Sequence, residues 1–309
     1  MPTPIITDGT MDRLIEAPRV VLPGVDLYAE RAARFEQLAA GHPMSDYLRL
    51  MARLSRAQGA ALPMRRAQPL DDVIVARSRD FGMPPLAAHT HARAAHWRDD
   101  LAAIVADLRA DASADVAAVL DRLVSLDAAT LEGRADRVLL GTADDADAAS
   151  VPFVGAALQV YFTRAATALD PAVLAAADVP TVCPVCAMRP VASVVRIGGA
   201  RNGSRYLACA LCGTEWHLAR IKCSACEEEK GVHYLALEGA EGGQSARGAT
   251  VRAEACDECK SYLKVVFQEK DPSVDPAADD LATLGLDVLV DERGFGRSGP
   301  NLLFHPGSG

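Results

Sequence analysis

Apolar residues recur at helical spacing through the first half of the chain and give way to alternating, strand-like runs after residue 179. The pattern turns helical from Tyr28, with Leu38 and Tyr47 to Leu54 set among alanine, arginine and glutamate. It resumes over Trp97 to Leu108, Asp115 to Leu126, Ala128 to Leu140, Phe153 to Leu169 and Pro171 to Ala177. Leu101, Ile104 and Leu108 stand at i, i+3 and i+7 and share one helix face. Val151 to Phe162 is apolar almost throughout, but it contains Gln159 and falls short of the roughly 20 residues that span a bilayer. It reads as a buried helix, and no membrane span is predicted. Residues 1–25 carry Pro2, Pro4, Pro18 and Pro23 without a period and predict an irregular arm. Pro63, Pro69, Pro84 and Pro85 mark a long loop or a helix break.

Beyond Val179-Pro180 the period changes. Val191 to Ile197, a Gly-rich turn over Gly198 to Ser204, and Arg205 to Ala208 predict a hairpin. Val232 to Leu237 and Thr250 to Glu254 predict a second, across a longer Gly-rich loop from Glu238 to Gly248. Ser261 to Phe267 predicts one more strand. Asp275 followed by Pro276 suits a helix N-cap with proline in the first turn, and Leu281, Leu284 and Val288 then share a face. Asp279 and Asp280 suit the positive end of that helix's dipole, or alternatively a partner-binding face. Gly294 to Gly309 reads as an extended tail. The expectation is an α+β multidomain chain with an arm (1–25), an all-helical domain (26–178), two tandem four-cysteine modules (179–222 and 223–270) and a C-terminal helix with tail (271–309).

With 309 residues, 50% of them hydrophobic, the chain is long enough to bury two cores, and its formal charge of −9 disfavours a polyanionic partner for the whole molecule. All eight cysteines fall in four Cys-x-x-Cys pairs: Cys183/Cys186, Cys209/Cys212, Cys223/Cys226 and Cys256/Cys259. Two intervening residues let the backbone curl so that both thiolates face one metal ion, and four such knuckles predict two tetrahedral four-thiolate sites. A disulfide framework belongs to short secreted chains, and nothing at the N-terminus reads as an export signal, so the thiols point to the reducing cytoplasm. Each hairpin returns its second knuckle beside its first, which favours pairing in chain order. Sequence alone leaves a crossed pairing open, such as the first knuckle with the third. Zinc and iron both accept four thiolates in a tetrahedron, so the metal also stays open. Gly213, just past the second knuckle, is the place for a backbone amide to approach sulfur.

Other chemistry is sparse. His89, His91 and His96 have no cysteine or carboxylate at ligand spacing and read as surface or hydrogen-bonded residues. Glu215, Trp216 and His217 form a candidate interaction patch, although Thr214, Trp216 and Leu218 alternate as a packed strand face would. No Gly-rich phosphate loop, G-x-S-x-G or H-E-x-x-H is present, so no enzymatic reading has support.

The chain resembles the FdhE family of formate dehydrogenase accessory proteins. The likeness is carried by Cys183-Pro-Val-Cys186, Arg189-Pro-Val-Ala-Ser193, the run from Arg205 to His217, Arg220-Ile-Lys-Cys223-Ser-Ala-Cys226, Cys256-Asp-Glu-Cys259 and Tyr262-Leu-Lys264. Asp271-Pro272, Ala278 to Ala282 and Gly294 to Ser298 extend it. Pro300 to His305 departs from the expected Asn-Pro-hydrophobic ending and puts the docking of the tail in doubt. The resemblance implies a cytoplasmic, non-enzymatic helper that binds the catalytic subunit of a respiratory formate dehydrogenase, with two rubredoxin-like sites for iron or zinc. Two other uses of such knuckles compete with it: a zinc-ribbon nucleic-acid binder and a rubredoxin-like electron carrier. Residues 181–270 hold 12 Lys/Arg against 10 Asp/Glu. Two divalent ions in four-thiolate sites bring that segment to about −2, which is no basic stripe for a phosphate backbone.

Overall fold

Val151 to Arg164 is buried on every side, as a run apolar all round the helix requires, and it forms most of the central helix of the N-terminal half. The computed structural model describes residues 16–174, 180–237 and 248–306. Its helices before the first cysteine are α1 (Leu27–Ala39), α2 (Ser45–Ala61), α3 (Asp72–Phe81), α4 (Trp97–Arg109), α5 (Ala114–Ser125), α6 (Ala128–Leu140) and α7 (Val151–Thr167). Helices α2, α4 and α6 pack directly on α7. The buried charge on α7 is fully partnered: Arg164 forks onto Asp100 at 2.8 and 2.9 Å and donates to the Leu62 and Ala61 carbonyls at the end of α2.

Helix α3 was missed because prolines flank it. Its ends carry ordinary signals: Asp71 accepts from the Val73 amide as N-cap, and Gly82 closes it in the left-handed conformation at φ +66°. The helix predicted from Pro171 is a 3-10 turn over Pro171–Leu174, and its continuation, with the 178/179 boundary, lies outside the described residues.

The strands are β1 (Val20–Val21), β2 (Pro190–Val195), β3 (Arg205–Cys209), β4 (Glu215–His217), β5 (Val232–Leu235), β6 (Val251–Cys256), β7 (Ser261–Phe267) and β8 (Gly296–Arg297). They make one sheet of order β1-β4-β3-β2-β7-β6-β5, with β8 beside β7. The two hairpins are therefore not separate beads. Strands β2 and β7 pair in parallel, Ser193 with Val265 and Val195 with Phe267, and fuse them. Both strands sit centrally and are buried almost throughout, which is why they read as continuous apolar runs. Fully buried Arg205 of β3 pairs with Glu254 of β6 and donates to the carbonyls of Ala219 and Lys222, tying the linker between hairpins to both.

Part of the predicted irregular arm is a strand. Val20 pairs with Trp216 and Val21 with Glu215, while Pro2 and Pro4 lie outside the described residues, as does most of the Glu238–Gly248 loop.

The predicted C-terminal helix is two helices, α8 (Pro276–Leu281) and α9 (Leu284–Asp291). At the break the backbone turns through three-residue bonds, Thr283 N to Asp280 O and Leu286 N to Thr283 O, and fully buried Lys264 donates to the same two carbonyls at 2.7 and 3.0 Å. The break rotates the apolar face, so Leu286 and Val290 are buried and Val288 is exposed. Asp275 caps α8 as its sequence predicts, accepting from the Ala277 and Ala278 amides. Asp279 and Asp280 are buried, not displayed to a partner. Asp279 pairs with Arg34 of α1 and Asp280 with Arg297, so charge pins α8 between the helical half and the sheet. The tail docks despite its unusual sequence. Asn301 donates to Ala277 O and Asp280, Leu302 and Leu303 are buried, and a Cβ on Gly155 would meet the Leu302 carbonyl oxygen at 2.3 Å.

Candidate metal centres

Each knuckle is built the same way. The residue after its second cysteine takes positive φ: Ala187 at 60°, Gly213 at 72°, Glu227 at 64° and Lys260 at 53°. In three of them that residue's amide donates back to the carbonyl of the first cysteine, Ala187 to Cys183, Glu227 to Cys223 and Lys260 to Cys256, at 2.8 to 3.1 Å. A residue just beyond the knuckle returns its carbonyl to the first cysteine's amide, from Met188, Thr214 and Glu228 in the first three knuckles. A left-handed residue in an L-chain costs ~1–2 kcal/mol except at glycine, so only Gly213 announced the turn in the sequence. Backbone amides approach sulfur at the Gly213 knuckle, as expected. The donors are Leu211 and Cys212, both toward Cys209 Sγ at 3.3 and 3.4 Å, while a Cβ on Gly213 would strike Leu27 Cδ2 at 2.6 Å.

The knuckles gather in chain order. Cys183, Cys186, Cys209 and Cys212 form one group, and Cys223, Cys226, Cys256 and Cys259 the other, with the four sulfurs of each group all within 4.8 Å of one another. The crossed pairing is excluded, and every cysteine is a free thiol, which excludes the disulfide framework. Cys183–Cys212 and Cys186–Cys209 sulfurs stand 3.5 and 3.3 Å apart, Cys223–Cys259 and Cys226–Cys256 3.8 Å. A tetrahedron with metal–sulfur bonds of ~2.3 Å has edges of about 3.8 Å, so both groups fit one ion apiece.

The electrostatics of the thiols differ within each group. Burial pushes Cys183 and Cys186 well above the ordinary thiol range. At Cys212 burial acts in the same direction, but contacts from Cys183, Cys186 and Cys209 and then Thr214, whose hydroxyl is 3.2 Å away, outweigh it and hold the thiol well below that range. Cys223 is pushed up to about 12, again by burial first. Cys259 comes down to about 7 because the Ser261 hydroxyl and amide outweigh its own partial burial. Each group thus has one thiol shifted toward the thiolate, the form that takes a metal ion.

The first group is held by the helical half. Gln159 of α7 donates to Ala210 O at 2.8 Å, and Thr163, one turn on, donates to Cys212 O at 3.3 Å while sharing a hydrogen bond with Tyr28. Leu86 and Ala88 donate to the Val185 and Cys186 carbonyls. Sequence reading missed all of these holders. Gln159, a lone amide in an apolar run, was the signal available.

The remaining candidates stay apart from the sulfurs. His91 Nε2 lies 3.1 Å from the Tyr161 hydroxyl, and among the described residues no histidine joins a potential metal group. Trp216 is buried and donates to Pro180 O, Glu215 is buried against Arg196 and Arg201, and of the proposed patch only His217 is exposed. Thr214, Trp216 and Leu218 are all buried, the packed alternation that a strand face predicts.

Family models describe the whole of this arrangement. The FdhE N-terminal model matches residues 17–178, the FdhE central domain 182–220 and the FdhE C-terminal domain 221–304. The chain belongs to the FdhE family. A protein FdhE homolog of Pseudomonas aeruginosa is 44% identical over 291 residues, 94% of each chain. Protein FdhE of Salmonella newport is 37% identical over 297 residues, covering 94% of this chain and 93% of that one. The crystal structure of the FdhE protein from Pseudomonas aeruginosa matches with a TM-score of 0.85 at 42% identity, over 94% of this chain and 100% of that one. FdhE architecture thus accounts for the helical half, the fused hairpins and both thiol groups together.

Proposed function

We propose that this FdhE-family chain is a cytoplasmic accessory protein that assists maturation of a respiratory formate dehydrogenase by binding its catalytic subunit. The carrying observation is the family match across all three regions, together with two four-cysteine groups fused into one sheet on a helical body. Four thiolates leave no position for water or substrate, which supports a structural or handling role over catalysis. Cys183, Cys186, Cys209 and Cys212 would hold one iron or zinc ion, and Cys223, Cys226, Cys256 and Cys259 a second. Bound there, either metal supplies a cross-link between knuckles, and iron adds a one-electron couple. Eight unbonded thiols support a reducing compartment, and no helix of the described residues is long and apolar enough to cross a membrane. The near-neutral charge of the metal segment supports a protein partner over nucleic acid. Co-expression with the formate dehydrogenase catalytic subunit tests the reading. The subunit co-purifies with the tagged chain if it holds, and failure to do so from cells that make both proteins overturns it.

A further inference from the structure

The two thiol groups are alike in ligand set and unlike in everything around it. Cys183, Cys186, Cys209 and Cys212 are all buried and belong to the main apolar core, beside Val185, Met188 and Leu211. Their intervening residues, Pro-Val and Ala-Leu, are apolar. Two α7 side chains and the Leu86–Ala88 backbone hold the surrounding carbonyls. In the second group only Cys223 and Cys256 are buried, Cys226 and Cys259 are exposed, and none of the four belongs to an apolar core cluster of the described residues. Its knuckles carry Glu227, Glu228, Glu229, Asp257 and Glu258, all exposed.

We propose that the second group is an exchange site, which takes up and releases its metal ion in the folded chain, while the first is locked and exchanges only when the core opens. The proposal rests on the metal-binding reading above and assigns each group its own task. The exposed pair comes one sulfur from each knuckle, so a single open edge runs from Cys226 to Cys259. An incoming donor, such as a small thiol or an aminocarboxylate chelator, reaches the ion along that edge and bonds to it. Cys226 or Cys259 gives up its bond in return, and its sulfur takes a proton from water. Cys256 stays anchored at the end of β6 and Cys223 stays buried, so release does not require β6 and β7 to separate. No such edge exists at the first group. A donor there waits for an opening of the helical core, and a group reached only through such openings reacts at least about a thousandfold more slowly.

The test uses the full chain loaded with two equivalents of zinc. It is exposed to EDTA and N-ethylmaleimide and read by native and peptide mass spectrometry, with circular dichroism followed in parallel. One zinc ion is expected to leave, with alkylation confined to the second group and fastest at Cys226 and Cys259, while helical signal and melting of the helical half persist. The other ion should follow at least about a thousandfold more slowly, with loss of structure. A Cys226→Ser/Cys259→Ser variant should keep one ion and its helical signal, which separates exchange from misfolding. Both ions leaving together, alkylation beginning at Cys183 or Cys212, or a double variant that loses both ions overturns the proposal. A chain that binds no zinc overturns the metal reading beneath it, a different result from two ions lost at one rate.

Discussion

Gly213 and Ala187 occupy the same place in successive knuckles of the first group, and substitutions there should act with opposite sign. Gly213→Ala places a Cβ at φ +72°, 2.6 Å from Leu27 Cδ2 and 3.4 Å from Pro23 Cβ. The left-handed backbone costs ~1–2 kcal/mol for an L-residue. Crowding Leu27 adds about 1 kcal/mol, at the low end for overpacking because the struck atom ends a side chain that can turn. Loss of glycine's unfolded-state freedom returns ~0.4–1 kcal/mol. The net is about 2 kcal/mol of destabilisation. Because site formation and folding are coupled, it should appear as a lower melting temperature and as affinity of the first site weakened roughly 30-fold in a competition titration. Ala187→Gly, at φ 60°, removes the same backbone strain and should stabilise by about 0.5 kcal/mol. The reasoning fails if Gly213→Ala melts like the parent, or if Ala187→Gly weakens the fold by as much as Gly213→Ala does.

Arg164→Met should cost ~3–5 kcal/mol, because it leaves the buried Asp100 carboxylate with only the exposed Arg65 at 3.8 Å, and adding Asp100→Leu should recover most of the loss in chemical denaturation. Recovery of none of it would show that the contacts to Leu62 and Ala61, and not the uncompensated charge, carry the effect. Burial opposes the charge of Asp280, but Arg297, then Lys264, and hydrogen bonds from Arg297 and Asn301 outweigh it and leave its carboxyl below the usual range. A depressed carboxyl contributes fully above the unfolded value of ~3.9 and less as pH falls toward the folded one. Melting curves should therefore drop below about pH 4 in the parent and less steeply in Asp280→Asn. Equal slopes would remove Asp280 from the acid transition.

Local signals made much of the molecule readable. The four Cys-x-x-Cys spacings placed the knuckles, the Gly198–Ser204 turn placed the first hairpin, and the apolar run around Gln159 placed the central helix. What stayed hidden depends on distant partners. The two tandem four-cysteine modules were legible, but no window of sequence shows that β2 and β7 pair in parallel and join them in one sheet. Nor does Lys264, alone in an apolar strand, announce that it will meet two carbonyls where the C-terminal helix breaks. The turns at Ala187, Glu227 and Lys260 escaped because knuckle geometry overrides the preference that normally reserves such backbone for glycine. Helix α3 was within reach, since Asp71 and Gly82 are ordinary caps, but the flanking prolines outweighed them. Asp279 does sit in the first turn of α8, but the alternative of a partner-binding face fails because Arg34 and Arg297 bury Asp279 and Asp280 in ion pairs, which no local window shows.

X-ray absorption at the metal edge, joined to elemental analysis of protein purified without added metal and without oxygen, tests the central claim most directly. Two ions per chain, each with four sulfur neighbours at ~2.3 Å, is the predicted result. Nitrogen or oxygen in the first shell of either ion, or sulfurs bonded to one another in its place, would contradict it.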